Sequence, residues 1–258
     1  MEILVCIKQV PDDSVEISLN EATGKPALDD VTPVVNAFDT YAEEMAVRLK
    51  EAVEGEVTVV SIGDDSVKNS LKNCLAVGAD HAYLVKCEDA ESLDSAAVAK
   101  LLAKAKKDIE EAEGKTFDII FCGKESTDYA ASQTGLLLAD ELNVPAVANV
   151  IAVETADGKA VIRQETEMGY NEIEASTPCV VTVQKPNYDP RYPTIKSKMA
   201  ARKKPIAELE AGELPVSSME VIKVYAPAKR QAGVKIKAET PEEAVAQAMA
   251  LITDAKVL

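Results

Sequence analysis

The sequence predicts an α/β chain on a doubly wound, mostly parallel sheet, with a β-hairpin excursion and an extended C-terminal arm. Three observations carry that prediction. Apolar-rich stretches of strand length lie at 3–7, 57–62, 82–85 and 117–122, and the first is an unbroken apolar run, the mark of a strand covered on both faces. Segments of helical periodicity separate them, so β and α alternate at regular spacing. Right-handed crossovers then bring the loops after Ile7, Ile62 and Cys122 to one edge of the sheet.

The first run leaves its carboxyl end as Lys8-Gln9-Val10-Pro11-Asp12-Asp13, where Pro11 ends regular pairing. Residues 15–19 alternate and GKPALDD supplies turn residues, which predicts the hairpin excursion. In VVNAFDTYAEEMAVRLKEAVEG, Asp39 or Thr40 is expected to cap a helix. Its Tyr41, Met45, Leu49 and Ala42, Ala46, Val53 share a face, and Gly55 ends it. After the second strand come Gly63-Asp64-Asp65-Ser66 and a helix over 67–77, with Leu71, Cys74 and Leu75 inward and a stop at Gly78. A long helix rich in Ala and Lys is expected over 93–112. From Val147 the pattern becomes antiparallel: 150–154 and 159–164 flank Asp157-Gly158, a hairpin dipeptide. A further run, interrupted at Gly169, reaches Ser176, and 178–183 closes the sheet region. Beyond Pro205 there is no complete apolar core: 206–220 is turn-rich, a short strand is expected over 221–225, and 226–234 is rich in Pro, Gly and basic residues. Thr240 then caps a terminal helix with Pro241 in its first turn and Val245, Ala248, Met249 and Ile252 expected inward.

A chain of 258 residues allows one large α/β domain with an appendage. With 4% aromatic residues and no Trp, its core must be Val, Ile, Leu and Ala. The net charge of −16 argues against nucleic acid or an anionic membrane as partner. No stretch reaches the roughly 18 apolar residues of a membrane span, and MEILVCIKQV reads as a first strand rather than a targeting segment. Cys6, Cys74, Cys87, Cys122 and Cys179 are scattered and never in CxxC spacing, so buried, reduced, structural thiols and a cytoplasmic setting are expected. One histidine, His81, and no ligand-like cluster predict no metal site.

The stretch FDIIFCGKESTDYAASQTG, 117–135, carries the chemistry. It reads as a buried strand, Gly123 at its end, a polar loop, and a helix opening near Tyr129. The loop offers hydroxyls at Ser126, Thr127, Ser132 and Thr134, an amide at Gln133 and a small residue at Ala131. Ligands of open parallel sheets lie beyond the carboxyl ends of the strands. A helix N-terminus there supplies unpaired N–H groups and a positive dipole end, suited to phosphate. The fold is thus read as Rossmann-like and adenine-nucleotide-binding. Neither a Walker loop nor GxGxxG is present: Gly123-Lys124 is followed by Glu125. The backbone, Ser132, Gln133 and Thr134 are expected to hold the phosphates. Glu125 and Asp128 should turn toward solvent, a ribose hydroxyl or Lys124. The topology also brings Asn36, Ala37, Phe38 and Asp39 toward Gly123–Gly135. No nucleophile or acid–base pair is apparent, so no catalytic residue is expected.

A second feature is KPNYDPRYPTIKSKMAARKK, 185–204. It holds seven basic residues against one acid, Asp189, within a strongly acidic chain. Such segregation marks a docking surface for an acidic partner or cofactor. Pro186, Pro190 and Pro193 stiffen the approach and present Tyr192 and Ile195.

Together these stretches resemble the beta (small) subunit of electron transfer flavoproteins nearly end to end. The likeness is carried by ILVCIKQVPD, Asn36-Ala37-Phe38-Asp39 before AEEMAVRLK, CLAVGAD, GKESTD…SQTG and PRYPTIKSKMAARKKP. The resemblance implies a heterodimer with a larger, FAD-carrying alpha subunit, embraced by the C-terminal segment. It implies a division into a nucleotide-binding domain, 1–189, and a recognition loop, helix and arm, 190–258. It implies nucleotide contacts at Cys6, Asn36 through Asp39, Ile62 and Gly123 through Gly135, with Lys8 near a flavin. Arg191, Tyr192, Pro193, Thr194, Ile195, Lys196 and Lys198 would dock a dehydrogenase of acyl-CoA type, with Ile195 as apolar anchor. Lys8-Gln9-Val10-Pro11-Asp12 resembles the flavin-bifurcating branch, which implies a second FAD here and NADH as substrate, hence an NADH-oxidising activity. Gln133-Thr134-Gly135 is nearer the simple carriers that hold AMP, the alternative, and Asn36-Ala37 replaces the common Asn-Pro. Outside this family, a nucleotide-sensing module would explain 117–135 but neither the basic segment nor the core-poor tail; an ATP-cleaving enzyme lacks its phosphate loop.

Overall fold

A computed structural model describes residues 1–20, 23–156, 158–228 and 232–256. Among the described residues, eleven strands and six α-helices follow in chain order. The strands are β1 Glu2–Cys6, β2 Gln9–Pro11, β3 Pro33–Val35, β4 Glu56–Gly63, β5 His81–Lys86, β6 Ile119–Gly123, β7 Ala146–Ala156, β8 Lys159–Thr166, β9 Gly169–Ala175, β10 Cys179–Val183 and β11 Ala207–Glu210. The helices are α1 Ala37–Val53, α2 Lys68–Val77, α3 Ser95–Glu113, α4 Thr134–Leu142, α5 Ile195–Lys203 and α6 Pro241–Asp254.

The chain divides into two units, Met1–Ser18 with Pro26–Ile222 and Leu19–Lys25 with Lys223–Leu258. In the first, nine strands form one sheet in the order β11-β5-β4-β1-β6-β10-β7-β8-β9. It is parallel from β11 to β7 and antiparallel through β8 and β9. The doubly wound, mostly parallel prediction holds. Its physical basis is visible in β1: Ile3, Val5 and Ile7 enter the core under α1 and α2, while Leu4 and Cys6 enter the one under α3 and α4. Both faces of a strand flanked this way are dry, so the run shows no polar alternation.

Several expectations are corrected. The excursion is real, but its paired legs are β2 and β3 rather than residues 15–19. Residue 157 of the predicted hairpin dipeptide lies outside the described residues; Gly158 has φ 77°, suited to a primed turn. β10 is no antiparallel closing strand: it lies parallel between β6 and β7. A strand was missed at β11, which extends the sheet beside β5, and none forms over 221–225. In the second unit, α6 has the expected Thr240 cap and Pro241 start, but Val245, Met249 and Ile252 are exposed rather than inward.

Candidate functional site

Two helix N-termini and the ends of β1, β4 and β6 surround the crevice. α1 is not capped by Asp39 or Thr40. Asn36 is its N-cap residue and makes no side-chain cap bond, because its amide is committed across the fold. Asn36 Nδ2 donates to the Glu125 carbonyl at 2.8 Å, and Thr127 N–H donates to Asn36 Oδ1 at 3.1 Å. At 1% exposed, this side chain clamps the start of the polar loop to α1.

Asp39, in the first turn of α1, joins two strand ends instead. Its carboxylate accepts Lys8 N–H at 2.7 Å and Gly123 N–H at 3.0 Å. Burial pushes its pKa up to about 7, against the opposing pull of those N–H groups, Asn36 and the Lys8 charge. One turn on, burial raises the Glu43 carboxyl to about 8. An acid with a raised pKa binds its proton more tightly folded than unfolded. The contribution of these two groups to stability is therefore fully present below the ordinary carboxylate range and is lost as pH rises through about 7–8. Acidifying from about pH 8.5 to about pH 6 is expected to raise the melting temperature by a few degrees. Glu43→Gln should flatten that rise; a pH–melting profile unchanged by this substitution would refute the assignment.

The helix after β6 does not open near Tyr129 but at Thr134. Ala130 and Ser132 have φ of 49° and 54°, a left-handed backbone that no helix continues through. The loop 124–133 therefore stays non-helical up to Thr134. Among the described residues, the backbone N–H groups of Tyr129, Ala131, Ser132 and Gln133 have no acceptor within the chain, nor have the side chains of Ser126, Thr127, Gln133 and Thr134 a partner. The first-turn N–H groups of α4 join them. That is a donor set suited to phosphate. Gly135 lets the start of α4 pack closely on the sheet: a Cβ there would lie 2.6 Å from Thr182 Cγ2 and 3.1 Å from Cys122 Cβ.

The loop's acids find partners other than those expected. Asp128 pairs with Lys8 Nζ at 2.5 Å rather than with Lys124, and Glu125 accepts the Ser132 hydroxyl at 2.5 Å. Lys8 also lies 4.6 Å from the centroid of the Tyr129 ring, which is 64% exposed. Tyr129 falls within the expected Gly123–Gly135 stretch but lies in the loop rather than at the start of the helix. Cys6 pairs in register with Cys122; the neighbouring Cys122 and burial hold its thiol well above its ordinary pKa, so it stays protonated. All five cysteines are buried and free. Ile62 is half-buried near the end of β4, and Phe38, half-buried, meets Tyr41 edge to face at 6.5 Å.

The basic segment stands apart from this crevice, on the α1 and α2 side. Thr194 caps α5 and shares a reciprocal box with Ser197, at 3.1 and 2.9 Å. Tyr192 and Ile195 are exposed, whereas Arg191 is bound to Glu44 and Glu51 of α1. The signal that could have found this is the seven-residue spacing of the two acids, which puts them on one helix face.

The model of the electron transfer flavoprotein domain matches residues 27–214. The chain belongs to the electron transfer flavoprotein family. The beta subunit from Megasphaera elsdenii is 34% identical over 254 residues, covering 94% of each chain. The mouse beta subunit is 34% identical, covering 96% of each. The caffeyl-CoA reductase-Etf complex subunit CarD of Acetobacterium woodii is 32% identical, covering 94% of each. This electron transfer flavoprotein component thus matches beta subunits over nearly its whole length. Among its described residues, no helix is long and apolar enough to cross a membrane, and no group of His, Cys, Asp or Glu could hold a metal.

Proposed function

We propose that the chain is the beta subunit of a heterodimeric electron transfer flavoprotein. With its alpha subunit it passes electrons between a dehydrogenase, of acyl-CoA type, and an acceptor through FAD, in the cytoplasm. An adenine nucleotide lies in the crevice of this subunit. What supports this reading is the loop 124–133 at the sheet's carboxyl edge, in which, among the described residues, the N–H groups of Tyr129, Ala131, Ser132 and Gln133 and the side chains of Ser126, Thr127 and Gln133 have no partner. Lys8 neutralises Asp128 there, which removes one repulsion toward phosphate. Flavin, when bound, supplies the redox chemistry; the chain's own residues bind, orient and shield it. Residues 190–258 serve recognition and packing on the alpha subunit, in keeping with the exposed Val245, Met249 and Ile252.

The nucleotide is read as part of a second FAD, with NADH as reductant, on the likeness of Lys8 through Asp12 to the flavin-bifurcating branch. AMP is the second reading, favoured by Gln133-Thr134-Gly135. Extraction of the purified heterodimer decides between them: two flavins per heterodimer, or one flavin with AMP. No adenine nucleotide at all would overturn both. Thr134→Val is expected to weaken nucleotide retention by roughly 1–3 kcal/mol, the loss of a hydrogen bond to a charged group; unchanged content after exhaustive dialysis would remove Thr134 from the site.

A further inference from the structure

The basic segment separates into residues that are fastened and residues that are free. Arg191 is fastened: its Nε meets Glu44 Oε2 at 2.8 Å, and Nη1 and Nη2 meet the Glu51 carboxylate at 2.7 and 3.1 Å. Its backbone N–H donates to Glu44 Oε2 at 3.0 Å. Glu44, 3% exposed, also receives Arg48 Nε at 2.6 Å, and the Arg48 guanidinium lies 3.9 Å from the centroid of the Tyr188 ring. At the far end of α5, Lys72 donates to the carbonyls of Ala201, Arg202 and Lys204, and Lys204 Nζ to that of Ala79 at 2.8 Å. By contrast, the side chains of Lys196, Lys198, Arg202 and Lys203 have no partner among the described residues. Tyr192 and Ile195 beside them are 86% and 82% exposed.

We propose that Arg191 is a positioning residue rather than a docking one. It clamps 188–194 onto α1 through Glu44 and Glu51, so that Tyr192, Ile195 and the four free bases face outward as a set. The inference rests on the docking reading above. A guanidinium fork can hold two carboxylates bidentately at once, which a single ammonium cannot, while Glu44 also accepts the Arg191 backbone N–H. The partner it serves presents an acidic rim around an apolar socket, because the free groups are cations around an isoleucine.

The test uses the heterodimer, with an acyl-CoA dehydrogenase reduced by its acyl-CoA as probe. Arg191→Ala is expected to speed backbone hydrogen exchange over 188–198 roughly tenfold. It should raise KM for the dehydrogenase roughly tenfold with kcat unchanged. Arg191→Lys should recover less than half of that loss. Adding Glu51→Gln to Arg191→Ala should change little further, since both remove one contact. Lys198→Ala should flatten the salt dependence of KM, whereas Arg191→Ala should leave its slope intact. Unchanged exchange, or a salt slope flattened by Arg191→Ala as much as by Lys198→Ala, overturns the proposal. An Ile195→Ala variant with unaltered KM would instead remove the docking reading, while the exchange rates still decide whether Arg191 clamps.

Discussion

Replacing Gly123 with alanine is expected to lower the melting temperature by roughly 6–12 °C and to strip the nucleotide. The new methyl would sit 2.3 Å from Asp39 Oδ1, 2.8 Å from Phe38 Cβ and 2.9 Å from Asp39 N. All three belong to the first turn of α1, and Asp39 N is backbone while Phe38 Cβ is fixed to it, so relief requires moving helix backbone rather than turning a flexible side chain. Overpacking of this kind costs about 1–3 kcal/mol, and shifting α1 also breaks the Gly123 N–H bond to a buried carboxylate, about 1–3 kcal/mol more. For a chain this long each kcal/mol is worth roughly 2–4 °C. A melting temperature within about a degree of the parent would show that α1 and β6 are not held in this contact. Thermal unfolding and extracted nucleotide, measured on the same heterodimer, report both consequences.

Asn36→Ala should cost the crevice its loop while leaving the sheet intact. The Glu125 carbonyl and the Thr127 N–H lose their only clamp to α1, at roughly 1–3 kcal/mol for each group left unsatisfied. Nucleotide retention is expected to fall at least tenfold, with a smaller change in melting temperature than for Gly123→Ala. Asn36→Asp sharpens the test. It keeps the acceptor for Thr127 but turns an acceptor toward the Glu125 carbonyl, so it should be no better than alanine. If aspartate instead restored retention, the Asn36 amide would not be the group that holds the loop.

The sheet was legible because burial on both faces leaves strand-length stretches dominated by apolar residues, broken in β4 by the buried Thr58 and Ser61: β1, β4, β5 and β6 all fall where those stretches lie. β11 was not, since AELE is a short edge strand with no apolar run, held by backbone pairing with β5, the packing of Leu209 and the ion pairs of Glu208 with Lys68 and Lys86. The crevice was legible as a place, because Gly123 and the hydroxyl-rich loop stand directly after β6. Its internal wiring was not. Asn36 and Asp39 both have the chemistry of a helix cap, and only partners 31 to 91 residues away turn one into a loop clamp and the other into a strand tie. The late start of α4 follows from left-handed backbone at Ala130 and Ser132, residues whose side chains do not announce it. Arg191 was read by its charge as a contact for a partner; its neighbours on α1, some 140 residues earlier, were invisible to local reading.

β11 changes what kind of object the basic helix is. The chain leaves the sheet at β10, runs through α5, and re-enters the same sheet beside β5. The helix is thus a handle moored at two ends rather than a trailing tail. A moored handle samples few orientations before an encounter, so a visiting protein surrenders little configurational freedom in grasping it.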